Sequence, residues 1–243
     1  MGHSSDANQP ARLALVRWAA RLGAVTAEAL AARDAISLAS ARARLQAAER
    51  AGMLAGHRPL AGEPTLYAAT RAGIRAAGSM GLDPGRVSAA GARHAIVCAA
   101  VAASLERAYP DHYVMGEPEL RLEERRQGDA RMVSARLSPR AGVRRMHRAD
   151  LLVWPPSRLD LPVAVEVELT VKAAERLVEI CRAWARCRGV SGVLYLVSPE
   201  ARRPLERAVE RSRANGRITA IALDVFARDV AAGPAERTVA GRA

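Results

Sequence analysis

The sequence predicts an α/β protein of two domains, and three observations carry that expectation. Helical periodicity dominates residues 10–80, whereas short apolar strands alternate with helices across 92–231. Between them GLDPGRVSAAG, residues 81–91, is a linker by composition. The length of 243 residues is enough for two modest domains that each bury a core. Half the chain is hydrophobic, yet it holds one phenylalanine and four tyrosines, so closely packed alanine-rich helices must supply much of that core.

In the first domain, Pro10 opens ARLALVRWAARLG, a helix that ends at Gly23 and turns Leu13, Val16, Trp18 and Ala20 inward. Thr26 caps a short helix, TAEALAARD, and Ser37 caps a third, SLASARARLQAAERAG, stopped at Gly52. Leu38, Ala41, Leu45 and Ala48 recur at helical spacing and face the core. MLAGH and TLYAAT form a hairpin, and Thr70 caps a further helix, TRAGIRAAGSM.

Helix, short helix, longer helix and hairpin are the pattern of a winged helix-turn-helix. Its third helix is the groove reader, with Ser40, Arg42, Arg44 and Gln46 on the polar side. The wing, with His57 and Arg58, would lie over the DNA backbone or minor groove. "ERAGML" and "LYAATRAG" resemble the corresponding runs of bacterial winged-helix domains, over roughly residues 11–78. The same helix order also serves protein–protein contact and dimerisation.

A formal net charge of +12 favours a polyanionic partner without identifying it. Of the 37 basic residues, 36 are arginines, whose planar fork suits phosphate; the one lysine is Lys172. Cys98, Cys181 and Cys187 are odd in number and lack metal-ligand spacing, so they read as reduced thiols. MGHSSDANQP has no basic-then-apolar signal pattern, and no uncharged run of membrane-spanning length follows. The expectation is a cytoplasmic protein with no membrane partner.

The second domain opens with a helix over about 93–108, where His94 and Cys98 share a face as packing residues rather than metal ligands. HYVMGEPELR, residues 112–121, suits a strand broken at Gly116 and Pro118. Residues 121–150 carry nine arginines against four acids and read as a long hairpin or loop. Their positive face suits a phosphate backbone, with Arg144, Arg145 and Arg148 nearest the following strand. DLLVW and VAVEVELT are strands, TVKAAERLVEICRAWARCRG a helix capped by Thr170, VSGVLYLVS a strand, 201–214 a helix and ITAIALDVF a strand. Residues 232–243 read as a frayed end.

Within VAVEVELT, Ala164, Glu166 and Glu168 share one side of the strand. Two acids there are costly unless they meet solvent, cations or a metal. Asp150, Glu166 and Glu168 could supply oxygen ligands to Mg²⁺ or Mn²⁺, with Lys172 orienting water or offsetting phosphate charge. The four could equally form a buried acid–lysine network.

An acid, a gap, then a glutamate and a lysine resembles the restriction-endonuclease-like nuclease fold, whose signature ends in Glu-x-Lys. Here the lysine position of that signature holds Glu168, and Lys172 stands four residues further on. From residue 11 to about 225 the chain is similar to the actinobacterial replication-relaxation family, in which a winged helix precedes a histidine-bearing helix and a segment reading "AD…VEVE…K". His94, Asp150, Glu166, Glu168 and Lys172 occupy those positions.

That resemblance implies a winged helix followed by a nuclease-like α/β domain with a mixed sheet. It also implies association with duplex DNA in plasmid or mobile-element maintenance and replication, whether or not the nuclease-like domain is active. A magnesium-dependent endonuclease is one alternative. A transcriptional regulator acting as a homodimer, or a scaffold for a partner protein, is the other.

Overall fold

The computed structural model describes residues 8–127, 133–140, 143–157 and 159–231. It is an α/β molecule with a mixed sheet, and its contacts divide it into two compact units. One holds the described residues up to Arg107 together with Gly116–Glu123; the other holds Ala108–Met115 and the described residues from Glu124 onward.

The first unit begins with α1 (Gln9–Leu22), α2 (Ala27–Asp34) and α3 (Leu38–Arg50). Pro10 sits in the first turn of α1, where its missing N–H costs nothing, and Gly23 ends the helix at φ +89°, a conformation that favours glycine. Thr26 and Ser37 cap the next two helices as the sequence predicts, accepting from the N–H groups of Ala29 (3.1 Å) and Ser40 (3.2 Å). Gly52 (φ +67°) then reverses the chain into β1 (Leu54–His57), which pairs antiparallel with β2 (Leu66–Ala69). Val25 forms an isolated bridge to Tyr67 beside that hairpin. Thr70 caps α4 (Arg71–Ala76), accepting from the Gly73 N–H at 3.0 Å.

These elements enclose one core, in which Trp18, Leu30, Leu45 and Leu54 are essentially inaccessible. Burying a leucine of this kind stabilises by roughly 1.5–3 kcal/mol. Arg33 lies over the Trp18 ring at 4.7 Å from its centroid.

Helix α5 (Ala89–Ala108) packs with this first unit, whereas the sequence expectation opened the second domain at residue 92. Its alanines explain the difference. Ala99 and Ala103 enter the core around Trp18, Ala92 packs with Ala24 and Leu66, and Glu106 pairs with Arg21 (2.8 Å) and Arg33 (2.6 Å). Such a helix can lie close to others on either side of a linker, and periodicity alone does not say which.

The second unit is built on a five-stranded sheet in the order β3–β6–β7–β8–β9. Its strands are β3 (Tyr113–Gly116), β6 (Leu151–Trp154), β7 (Val163–Glu168), β8 (Gly192–Val197) and β9 (Ile218–Ala222). β6 runs antiparallel to β7, and β7, β8 and β9 are mutually parallel. Helices α7 (Ala174–Arg186) and α8 (Pro199–Ser212) make the two crossovers and pack on each other. Strands β4 (Ala135–Arg140) and β5 (Val143–His147) form a separate hairpin against α7. Among the described residues no helix is long and apolar enough to cross a membrane.

Three expectations are corrected here. Residues 112–121 are not one broken strand: β3 stops at Gly116 and α6 (Glu117–Gln127) begins at once. Pro118 fits the first helical turn, and Glu117 and Glu119 favour its positive end, so α6 also occupies the start of the supposed 121–150 hairpin. ITAIALDVF is likewise two elements, because alternation ends at Ala222 and α9 (Leu223–Ala231) follows, burying Phe226.

Third, Thr170 does not cap α7, which starts at Ala174 without a side-chain cap. Ser198 holds the exit of β7 instead, donating from its backbone to the Glu168 carbonyl (2.9 Å) and from its hydroxyl to that of Leu169 (3.2 Å). The chain therefore stays non-helical through Lys172. The predicted frayed end, 232–243, lies outside the described residues.

Candidate functional site

Helix α3 presents the first candidate surface. Ala41, Leu45 and Ala48 fill the buried side, which leaves Ala39, Ala43 and Ala47 four residues apart on the opposite side. Arg42 and Gln46 border that alanine strip on one edge and Arg44 on the other; all three are exposed, while Ser40 is half-buried. A strip of methyl groups lets a helix approach a partner closely, and its borders carry forked donors. Arg42 lies 3.6 Å from Glu28 and Arg44 3.2 Å from Asp34, in pairs open enough to water to be worth only about 0–1 kcal/mol each.

The β1–β2 hairpin is fixed to this helix, because the Glu49 carboxylate accepts the Gly56 N–H at 2.9 Å. A Cβ at Gly56 would come within 2.7 Å of that same oxygen, so a larger residue would displace the flexible Glu49 side chain and weaken this tie. His57, half-buried, ends β1, and the exposed Arg58 donates to the Thr65 hydroxyl at 3.2 Å. The six predicted contact residues of this unit thus lie on one helix and the hairpin that follows it.

The second candidate is the acidic strand. Glu166 and Glu168 are each only 4% exposed on one face of β7. Glu166 Oε1 accepts from the Trp184 indole N–H at 3.0 Å and lies 2.8 Å from His147 Nε2. The His147 ring meets Trp184 edge-on, with centroids 5.8 Å apart. Glu168 is paired with Lys172. Asp150 Oδ2 accepts the backbone N–H of Val167 at 2.7 Å, which ties the entry of β6 to its neighbour.

Tyr195 stands opposite Glu166 in the parallel register of β8, and its buried hydroxyl has no hydrogen-bond partner among the described residues. Burial, and after it the charge of Glu166, holds that hydroxyl well above the usual phenol range. The same two causes push the Cys181 thiol up to about 12, so it is an inert packing group.

A divalent ion would need oxygens of Asp150, Glu166 and Glu168 free to converge on it. Instead Lys172 neutralises Glu168, an indole and an imidazole hold Glu166, and Asp150 serves the backbone. As placed, Glu166, Glu168 and Lys172 form an internal network of hydrogen bonds and an ion pair.

Nor are the predicted phosphate contacts of this unit free. Arg145 pairs with Glu179 at 3.1 Å and Arg148 with Glu124 at 2.7 Å, all four being less than a third exposed. Glu124 in turn accepts the Ser134 hydroxyl. The side chain of Arg144 lies outside the described residues, as do residues 128–132 and 141–142 of the arginine-rich stretch.

His147 and Trp184, which hold Glu166, and Tyr195 beside it are the residues of this site that the sequence reading passes over. Tyr195 alone left a signal, being the one hydroxyl in the middle of an apolar strand. No protein-family model, curated protein or solved structure matches this chain.

Proposed function

We propose that the protein binds duplex DNA through α3, and that its second unit is a nuclease-like scaffold rather than a working nuclease. The single observation behind this reading is the exposed face of α3, an alanine strip bordered by Arg42, Gln46 and Arg44. A helix of this shape can settle into a major groove, where arginine and glutamine forks read base edges and phosphates. The helix–helix–helix–hairpin order supports reading the first unit as a winged helix-turn-helix, in which Arg58 on the hairpin would exchange its Thr65 contact for the flanking backbone. Residues 8–107 carry thirteen arginines against six acids, which gives this unit a field that attracts a polyanion. The resemblance read from the sequence sets this activity in the replication or maintenance of plasmids and mobile elements, within the cytoplasm.

Anisotropy titrations of the full chain on labelled duplex DNA, with magnesium and with a chelator, test the reading. Arg42→Ala combined with Gln46→Ala weakens binding by about tenfold or more, and it lowers the salt dependence by about one phosphate contact. Arg202→Ala, an exposed control, changes nothing. Unchanged affinity in the double variant removes α3 as the reader. Divalent-dependent cleavage that disappears in both Glu166→Gln and Lys172→Ala replaces the scaffold reading with a magnesium-dependent endonuclease.

A further inference from the structure

Beside β4 the second unit holds a cavity of about 810 Å³, within the range of small-molecule sites. Three chain segments converge on it: β4, the turn after β6, and the C-terminal end of α7 with the residues that follow. None of the residues proposed for DNA contact or for the acidic network lines it.

Its lining makes three separate chemical demands. Much of the lining is apolar, with Leu137, Trp154, Leu159 and Leu161 contributing. Leu159 is 89% exposed, a cost that a ligand laid against it would remove. Arg136, Arg186 and Arg188 add three exposed guanidinium groups, and none has a carboxylate partner among the described residues. Exposed arginines without a carboxylate partner among the described residues also occur elsewhere in this unit, at Arg182, Arg203, Arg207 and Arg213, so what marks the cavity is that three line it together. The exposed Asp160 also lines the cavity, without an ion-pair partner among the described residues, and its carboxylate can accept a hydrogen bond from a ligand.

We infer that this cavity binds a nucleoside phosphate, with its base against the apolar walls, its phosphate on the arginines and a base amino or sugar hydroxyl on Asp160. Inorganic phosphate would leave the walls and Asp160 unmatched, and a fatty acid would bring no donor. A nucleoside phosphate meets all three demands, and arginine serves it twice, by forking a phosphate and by stacking on a base. The ligand is a free nucleotide or one unpaired nucleotide of a strand. This inference goes beyond the proposed duplex contact and does not depend on α3.

Calorimetric titration of the full chain with deoxyadenosine monophosphate, deoxyadenosine, inorganic phosphate and a short single-stranded oligonucleotide tests it. The monophosphate or the oligonucleotide binds, and deoxyadenosine and phosphate alone each bind at least about tenfold more weakly. Arg186→Ala with Arg188→Ala, and separately Leu159→Asp, weaken binding by about tenfold or more; these positions are exposed, and circular dichroism checks that the fold is kept. Tighter binding of the oligonucleotide identifies a strand as the source, and binding of the monophosphate alone identifies a free nucleotide. Arg42→Ala with Gln46→Ala keeps the nucleotide affinity, which separates this site from the duplex reading. Phosphate binding as tightly as the monophosphate, indifference to Leu159→Asp, or no binding of either nucleotide ligand at about 10 mM overturns the inference.

Discussion

Helix α3 and strand β7 both carry charged side chains within a few residues of one another, yet they use them in opposite ways. On α3 the charges are solvated and loosely paired, with Arg42 58% exposed and 3.6 Å from its nearest carboxylate. On β7 Glu166 and Glu168 are buried and held by an indole, an imidazole and a lysine. An exposed arginine can exchange a weak partner for a phosphate at little cost. A buried carboxylate cannot, because it must first surrender contacts that compensate its desolvation. A surface available for binding and a network committed to the fold are told apart by exposure and pairing, not by how many charges each contains.

The contrast can be broken from its structural side first. Leu45, on the inner face of α3, is fully buried, and Leu45→Ala costs about 2–5 kcal/mol in urea unfolding of the first unit. Changes on the outer face of the same helix, Arg42→Ala or Gln46→Ala, stay within about 0.5 kcal/mol. A comparable loss at Arg42 would mean that its charge is structural after all.

Next comes Lys172→Ala, which leaves Glu168 buried without its cation. A fully buried pair would lose about 3–5 kcal/mol, but the lysine side chain is 37% exposed, so roughly 1–2 kcal/mol is expected. Lys172→Met, which keeps the stem and removes the charge, should lose as much. DNA affinity is unchanged in both variants under the scaffold reading, so a stability loss without an affinity loss sharpens the contrast.

The first unit was the more legible in sequence because its signals are local. Thr26, Ser37 and Thr70 stand where helices begin, Gly23 ends α1 and Gly52 follows α3, and the spacing of Ala41, Leu45 and Ala48 gives the buried face of α3. In the second unit the pairing of Glu166 and Glu168 on one strand face was also readable, since alternation along a strand is local. Their partners were not, because His147 and Trp184 reach Glu166 from a hairpin and a helix separated from it by 19 and 18 residues.

The boundary errors share a cause. At Gly116 and Ala222 a strand passes into a helix with no intervening turn, so no loop composition marks the change. The start of α7 was misplaced for a different reason. Thr170 is a plausible cap in isolation, but Ser198, distant in sequence, fixes the strand exit and delays the helix.

The smallest expected effect concerns acid stability, and it tests whether a half-exposed pair in the second unit behaves like those on α3 or those on β7. Arg176 donates to Glu179 at 2.7 Å, and this bond, with help from Arg145, holds the Glu179 carboxyl below the usual carboxylate range. A carboxylate with a depressed folded-state pKa contributes stability above its unfolded value, near 4.5, and loses it as pH falls through the folded value. The wild type should therefore lose stability relative to Arg176→Ala only below about pH 4.5, while the two differ by a constant amount at neutral pH. That amount should be a few tenths of a kcal/mol, as for an i,i+3 surface pair. Thermal melts of both proteins from pH 7 to pH 3 measure it. A gap above about 2 kcal/mol at neutral pH would put Glu179 with the buried acids of β7, and would make Arg145 part of the same committed network rather than its solvated edge.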